Sequence, residues 1–298
     1  MATTQYYHLP NTIDEALQAM SLAPAGSRFI AGGTDLLLDI QQGRQRRVDT
    51  LVDVTRVSEL LSLEERAGKL FIGASVPLNQ VVASPLVREH AQGLFEAAGL
   101  IGGPQVRNSA TLGGNVAHAL PAADGTIALL ALGAQAQVAS PKGLRVMDIG
   151  ELFVGPGQSA LDPQRDLLVG FLLPLVKHEE GSAFRRVMRP QGVALPILNM
   201  AIWLCRDGDR LVEIHIALGP GGPVPMRASL AEERMRGELV SPGLLESGME
   251  AILAEARFRS SAYRSGVDYR KHLTRVLFNE TFQSAWRRAA ANDLAPIG

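Results

Sequence analysis

The chain has 298 residues, 46% hydrophobic and 20% charged, and its 29 Lys and Arg against 30 Asp and Glu give a formal net charge of −1. That is enough apolar side chain for an ordinary core, and too little net charge for a disordered chain; the length suits two domains or three small ones. Balanced charge removes any global electrostatic case for nucleic acid or an anionic membrane, so an anionic ligand must be bound locally.

The first eight residues carry no cationic segment leading into an apolar one, so no secretory signal is expected. The longest mostly apolar stretch, Val193 to Cys205, is interrupted by Pro196 and Asn199. It is too short for a bilayer, which takes about 20 residues, and a cytoplasmic chain without a transmembrane segment is expected. The single cysteine, Cys205, excludes an internal disulfide, a cysteine-based zinc site and an iron–sulfur cluster held by this chain alone. It reads as a buried small hydrophobe. Redox chemistry here would need an organic cofactor.

In chain order, Thr12 with Glu15 has capping-box spacing, and Ile13, Ala16, Leu17 and Met20 mark one face of a helix. Arg28 to Ala31 reads as a short buried strand running through Gly32 and Gly33 into a helix from Leu36 to Ile40, with Thr34 or Asp35 as N-cap. Leu51 to Val54 and Leu70 to Ile72 predict strands. Ser75 before Pro77 suggests a cap for a helix over 77–82, and a second helix is expected over 86–100. Gly102-Gly-Pro104 ends it, and the run to Gly125, poor in bulky apolar residues, reads as an ordered loop.

Further along, 126–132 reads as a buried helix, 136–139 and 167–173 as strands, and Gly155-Pro-Gly157 as a turn between them. Strands over 198–204 and 211–218 flank Asp207-Gly-Asp209, a hairpin signature. Gly219 to Pro225 is a long turn, after which helices follow, one opened by Ser241-Pro242 and one over 268–290. The arginines of this last part, Arg264, Arg270 and Arg288 among them, predict a solvated helical face. Without regular βαβ alternation the fold class is α+β.

Two glycine-pair loops stand out: Ala31-Gly-Gly-Thr-Asp35 and Thr111-Leu-Gly-Gly-Asn115. Glycines let backbone N–H groups approach a ligand and form the concavity by which an uncharged chain binds phosphate. A Gly-Gly pair is also an ordinary tight turn. Gly155 to Ala160 spells a dinucleotide fingerprint, but Pro156 and the lack of a following amphipathic helix leave it a turn.

The surroundings of the second loop, Gln105-Val-Arg-Asn-Ser-Ala-Thr-Leu-Gly-Gly-Asn115 continuing through His118 and Pro121 to Asp124, together with the first loop, resemble the FAD-binding medium subunit of the molybdenum hydroxylases. This is the family of xanthine dehydrogenase and aerobic carbon monoxide dehydrogenase. Ala217-Leu-Gly-Pro220, Pro225-Met-Arg227 and Tyr269-Arg-Lys-His-Leu273 resemble its C-terminal domain. The resemblance implies a two-subdomain FAD-binding domain of the vanillyl-alcohol-oxidase (PCMH) type, residues 1–57 and 58–176, followed by a small α+β domain, 177–298.

The cofactor residues it implies are Phe29, Ile30, Ala31, Gly32, Gly33, Thr34, Asp35 and Leu36 on the first loop, with Ala31 to Leu36 holding the pyrophosphate and ribityl through backbone amides. Thr111, Gly114, Asn115 and His118 line the other side, although His118 read alone is equally a surface histidine. Ile101 packs near the ring system, Asp124 bonds a cofactor hydroxyl or the loop itself, and Leu168 or Val169 gives a backbone contact to the ring. Arg185 or Arg186 supplies a cation at the ring edge; the sequence leaves that choice open. No catalytic side chain and no metal ligand is implied on this chain.

FAD is the implied cofactor here. A molybdopterin large subunit and a small subunit with [2Fe-2S] clusters are the implied partners, in a heterotrimer or a dimer of heterotrimers that delivers electrons to an external acceptor. Three departures bear on this. Gln191 to Leu195 stands where an acidic residue usually follows, so direct use of NAD is not implied; Gly125-Thr-Ile127 replaces a proline; and no cysteine cluster is inserted, so flavin only is expected. A self-contained flavin oxidase or reductase, and a non-catalytic assembly module, are the competing readings.

Overall fold

The computed structural model describes residues 4–44, 48–189, 195–261 and 265–292. Strand β1 (Tyr6–His8) leads into helix α1 (Ile13–Leu22), where Thr12 Oγ1 accepts from the Glu15 N–H at 3.2 Å and the Glu15 carboxylate accepts the Asn11 N–H, one residue before the cap, at 2.7 Å. Next come β2 (Arg28–Ile30), α2 (Leu36–Gln41) and β3 (Thr50–Asp53). These strands form a parallel sheet in the order β1-β3-β2. Asp35 takes the cap position of α2 without a side-chain capping bond.

The second layer starts with β4 (Leu63–Arg66) and β5 (Lys69–Gly73), then runs through α3 (Leu78–Ala83), α4 (Pro85–His90) and α5 (Gln92–Leu100). The cap of α3 is Pro77, not Ser75, because the Ser75 hydroxyl donates to the Val54 carbonyl at 3.2 Å. The helix expected over 86–100 is broken at Ala91, whose φ of −141° and ψ of 53° lie outside the helical region. The expected loop holds α6 (Pro104–Arg107) and α7 (Leu112–Ala117), and α8 (Asp124–Ala131) begins inside its last residues.

Strands β6 (Gln135–Ser140) and β7 (Gly143–Asp148), a small hairpin of β8 (Phe153–Gly155) and β9 (Gln158–Ser159) around the expected turn at Pro156-Gly157, and β10 (Leu167–Pro174) follow. An antiparallel sheet in the order β4-β5-β10-β6-β7 results. A register shift between Leu168 and Gly170 leaves Val169 as a bulge.

The last part is an antiparallel sheet of β11 (Glu180–Met188), β12 (Pro196–Asp207), β13 (Arg210–Gly219) and β14 (Met226–Arg227), in that order. The hairpin read at Asp207-Gly-Asp209 joins β12 to β13. Helices α9 (Ser229–Met235), α10 (Pro242–Glu255) and α11 (Val267–Asn292) complete it, with Ser241 capping α10 through the Leu244 N–H at 3.2 Å. On α11, Leu273, Leu277, Phe278, Phe282, Ala285 and Ala289 recur at helical spacing and are buried with the apolar face of this sheet. Cys205 is half-buried, because it lies near the turn that joins β12 to β13.

Every residue of α8 is buried, since the helix packs against α5 and α7 as well as β12 and β13. At the other contact, β11 rests on α11 with backbone nearly touching backbone. A Cβ at Gly181 would stand 2.3 Å from the Ala285 carbonyl oxygen and 2.6 Å from the Ala289 nitrogen. Gly181→Ala is therefore expected to lower stability by about 1–3 kcal/mol, the usual range for overpacking, as read in a thermal melt. An unchanged melting temperature would refute that close approach.

Candidate functional site

The first glycine loop follows from the end of β2. Ile30 is buried, its carbonyl accepts the Val54 N–H at 2.9 Å, and the chain turns through Gly33 at φ +67° into α2. Ala31, Gly32 and Gly33 are half-buried, Thr34 and Asp35 are exposed, and Phe29 and Leu36 are half-buried against the neighbouring cores. The second loop is organised by Thr111, whose hydroxyl accepts the Gly114 N–H at 3.0 Å and caps α7.

The two loops meet. A Cβ at Gly32 would lie 1.9 Å from the Ser109 carbonyl oxygen, so only a glycine lets them touch. Gly113 is used in the opposite direction: its N–H donates to the Ala74 carbonyl at 3.0 Å, a Cβ there would stand 2.5 Å from that oxygen, and the Ala74 N–H donates to the Val169 carbonyl at 2.8 Å. The second loop is thus tied through Ala74 to the bulge of β10, beside Leu168. Gly114, by contrast, is exposed, and a Cβ on it would meet only Thr111 Oγ1, at 3.2 Å. Asn115 and His118 are half-buried on the same short helix and its cap.

Ile101, half-buried, ends α5. Arg107 Nη1 braces that turn by donating to the carbonyls of Ile101 at 3.3 Å and Gly102 at 2.9 Å, a role for the arginine of the Gln-Val-Arg-Asn motif that the sequence did not suggest. Asp124, the first residue of α8, is buried and pairs with Arg186 and with Asn199. Burial pushes its carboxyl pKa up, against the charge of Arg186 and the hydrogen bonds of Asn199 and Arg186.

A second set of contacts lies on the other side of β11. Glu96 of α5 accepts the Phe184 N–H at 2.8 Å and Arg185 Nη1 at 3.1 Å, and it holds Arg288 of α11 by a forked contact at 2.5 and 3.1 Å. Arg288 also donates to the Ser182 carbonyl at 2.6 Å. The arginine expected on a solvated face therefore belongs to this joint, and Arg270, another of that set, is buried. Arg264 and residues 191–194 of the Gln191 to Leu195 departure lie outside the described residues.

The structure thus gathers Phe29 to Leu36 with Thr111, Gly114, Asn115 and His118 around one pair of touching loops, and places Asp124 with Arg186 behind the second. A cleft of ≈ 380 Å³ lies between α5 and β11, lined by Val82, Phe95, Leu100, Phe184, Arg185 and Arg186 among others. A larger one, ≈ 580 Å³, lies by the end of α1 and the β6–β7 hairpin and contains none of these site residues. The donor set fits a diphosphate-bearing cofactor: glycine backbone at the surface, which can turn N–H groups toward phosphate oxygens without a cationic side chain. Glu96 and Asn199 were not legible as site residues, though the lone amide in the apolar run of β12 was a signal.

Comparison with known proteins identifies the family of the chain. Residues 2–176 match the family model described as FAD binding domain in molybdopterin dehydrogenase, and residues 182–285 match CO dehydrogenase flavoprotein C-terminal domain. The xanthine dehydrogenase FAD-binding subunit of Escherichia coli O157:H7 is 28% identical over 281 residues, covering 94% of this chain and 95% of that protein. The nicotine 6-hydroxylase medium subunit of Paenarthrobacter nicotinovorans is 30% identical over 283 residues, covering 95% and 97%. A solved carbon monoxide dehydrogenase chain from Hydrogenophaga pseudoflava superposes with a TM-score of 0.90 at 26% identity, over 97% of this chain and 99% of that one. Two touching glycine loops, an α+β fold of the same shape and matched models over both halves make this chain a member of the FAD-binding flavoprotein family of the molybdopterin dehydrogenases.

Proposed function

We propose that this chain is the FAD-carrying electron-transfer subunit of a molybdenum hydroxylase complex. In such a complex a molybdopterin cofactor on a large subunit and [2Fe-2S] clusters on a small subunit would supply the electrons that this chain hands to an external acceptor. The observation that carries the reading is the contact of the two glycine loops at Gly32 and Ser109, which brings both backbones together where one diphosphate would meet them. FAD, when bound, supplies reversible electron chemistry, and the protein supplies binding, orientation and electrostatics.

In this reading Ala31 to Leu36 and Thr111, Gly114, Asn115 and His118 hold the pyrophosphate and ribityl. Ile101, Leu168 and Val169 border the ring, and a guanidinium from β11 faces its edge. Residues 1–57 and 58–176 enclose the cofactor and 177–298 closes over it. No helix among the described residues is long and apolar enough to cross a membrane, and a cytoplasmic heteromer is the setting proposed.

The test is the visible spectrum of the purified chain after incubation with FAD and removal of free cofactor, then the same after assembly with the small and large subunits. One FAD per chain is expected, with no substrate turnover until the partners are present. Turnover by the isolated chain would favour a self-contained oxidase, and the absence of retained flavin in either state would end the flavoprotein reading.

A further inference from the structure

Arg185 and Arg186 are adjacent on β11, so their side chains leave opposite faces of the strand. Their partners differ accordingly. Arg185 donates to Glu96 and, at 3.1 Å, to Ser284 of α11, both on the joint side. Arg186 donates through Nη1 to Asp124 and through Nη2 to Met188 Sδ at 3.1 Å. Asn199, opposite Arg186 in the β11–β12 register, completes this cluster: its Nδ2 donates to the other Asp124 oxygen at 2.6 Å and to the Ala122 carbonyl at 3.1 Å. The second glycine loop is fastened to the same helix start, where the Thr126 N–H donates to Asn115 Oδ1 at 3.3 Å.

Two atoms of the cluster remain without a partner in the protein, Arg186 Nε and Asn199 Oδ1. Both are buried, with the Arg186 side chain 6% exposed and Asn199 0%. A buried donor and a buried acceptor left unpaired within one cluster are uncommon in folded proteins and mark a place where a bound group would complete the bonding. Arg186 also lines the cleft that reaches Leu100, the neighbour of Ile101.

We propose that Arg186, not Arg185, is the cation of the cofactor site, and that Asn199 is its positioning residue. Asn199 occupies one oxygen of Asp124 and leaves the other to Arg186, which fixes the guanidinium without adding charge; Arg185 serves the joint with Glu96. The inference rests on the flavoprotein reading above. A cation held beside the ring favours the reduced, anionic flavin and so raises its midpoint potential.

The test compares variants of the full chain loaded with FAD. Arg186→Gln should shift the flavin midpoint potential to a more negative value, Arg186→Lys should restore most of it, and Arg185→Gln should leave the potential in place while lowering the thermal midpoint. Asn199→Leu should move the potential as Arg186→Gln does but less, and combining the two should add nothing to Arg186→Gln alone. A shift caused by Arg185→Gln and not by Arg186→Gln, or an Asn199→Leu effect that adds in full, overturns the assignment. If Arg186→Gln does not fold, Asn199→Leu against Arg185→Gln decides: a shift in the first alone supports the assignment, and any other pattern overturns it. A wild-type chain that retains no FAD removes the flavoprotein reading as well, whereas these variant patterns remove only the present one.

Discussion

Gly114→Val should abolish FAD retention in a chain that still folds. The position is exposed, lies within a helix, and offers a new side chain open space apart from Thr111 Oγ1 at 3.2 Å, so the protein itself has little reason to object. A diphosphate lying on that backbone does. Losing one or two hydrogen bonds to a charged oxygen costs about 2–4 kcal/mol, or roughly 30- to 1,000-fold in affinity. Gly32→Val and Gly113→Val are the contrasting cases, because each would drive a side chain into backbone at 1.9 and 2.5 Å and should unfold the loops before any ligand is tested. Flavin absorbance after desalting, with far-UV dichroism of the same sample, separates the two outcomes. Full flavin occupancy in Gly114→Val would mean the cofactor does not lie there.

Glu96→Gln should cause the largest loss of stability among single side-chain changes at the joint. Four contacts converge on this carboxylate from β11 and α11, and its removal leaves Arg185 and Arg288 facing each other. Breaking a buried pair by removing one partner costs about 3–5 kcal/mol; because both guanidinium groups are roughly a third exposed, solvent screening reduces this to about 2–3 kcal/mol. For a protein of this size that corresponds to a fall of roughly 3–5 °C in melting temperature. The acid dependence gives a second check. Burial alone would push the Glu96 carboxyl pKa up, but the Arg288 hydrogen bond, the Phe184 N–H and the two nearby cations hold it below the ordinary glutamate value. Its stabilising contribution is therefore complete above about pH 4.3, where the unfolded group is ionised, and is lost as pH falls through the lower folded value. In Glu96→Gln that part of the acid arm of the stability curve should flatten, and an acid arm identical to wild type would assign the stabilisation elsewhere.

The elements that could be read from sequence were those whose signals are local. Thr12, Ser241 and the Asp207-Gly-Asp209 turn act within a few residues, and 126–132 is apolar on every side because it is buried on every side. Those missed depend on distant surfaces. The break at Ala91 carries no glycine or proline, Ser75 has the chemistry of a cap but is drawn to Val54, and β1, β4 and β7 are largely exposed strands without apolar alternation. Helices α6 and α7 have little apolar face of their own, and α7 is seated by Ala74 and the β10 bulge. Within the site, the glycine loops were legible because close backbone approach demands glycine at the position itself. Glu96 and Arg288 were not, since a charge on a helix reads as solvated until its partner, far away in sequence, is known.

The contact between Glu96 and Arg288 spans 192 residues of chain. At a translation rate of about 5–20 residues per second, roughly 10–40 s separates the emergence of its two ends. The first glycine loop has left the ribosome before that interval opens and the second leaves early in it, while the face of α5 that β11 and α11 will cover still meets solvent. The clamp that fastens β11 against α5 is thus among the last parts of the molecule to be made. A nascent chain passes through a period in which its FAD-binding domain is complete and the wall opposite is not.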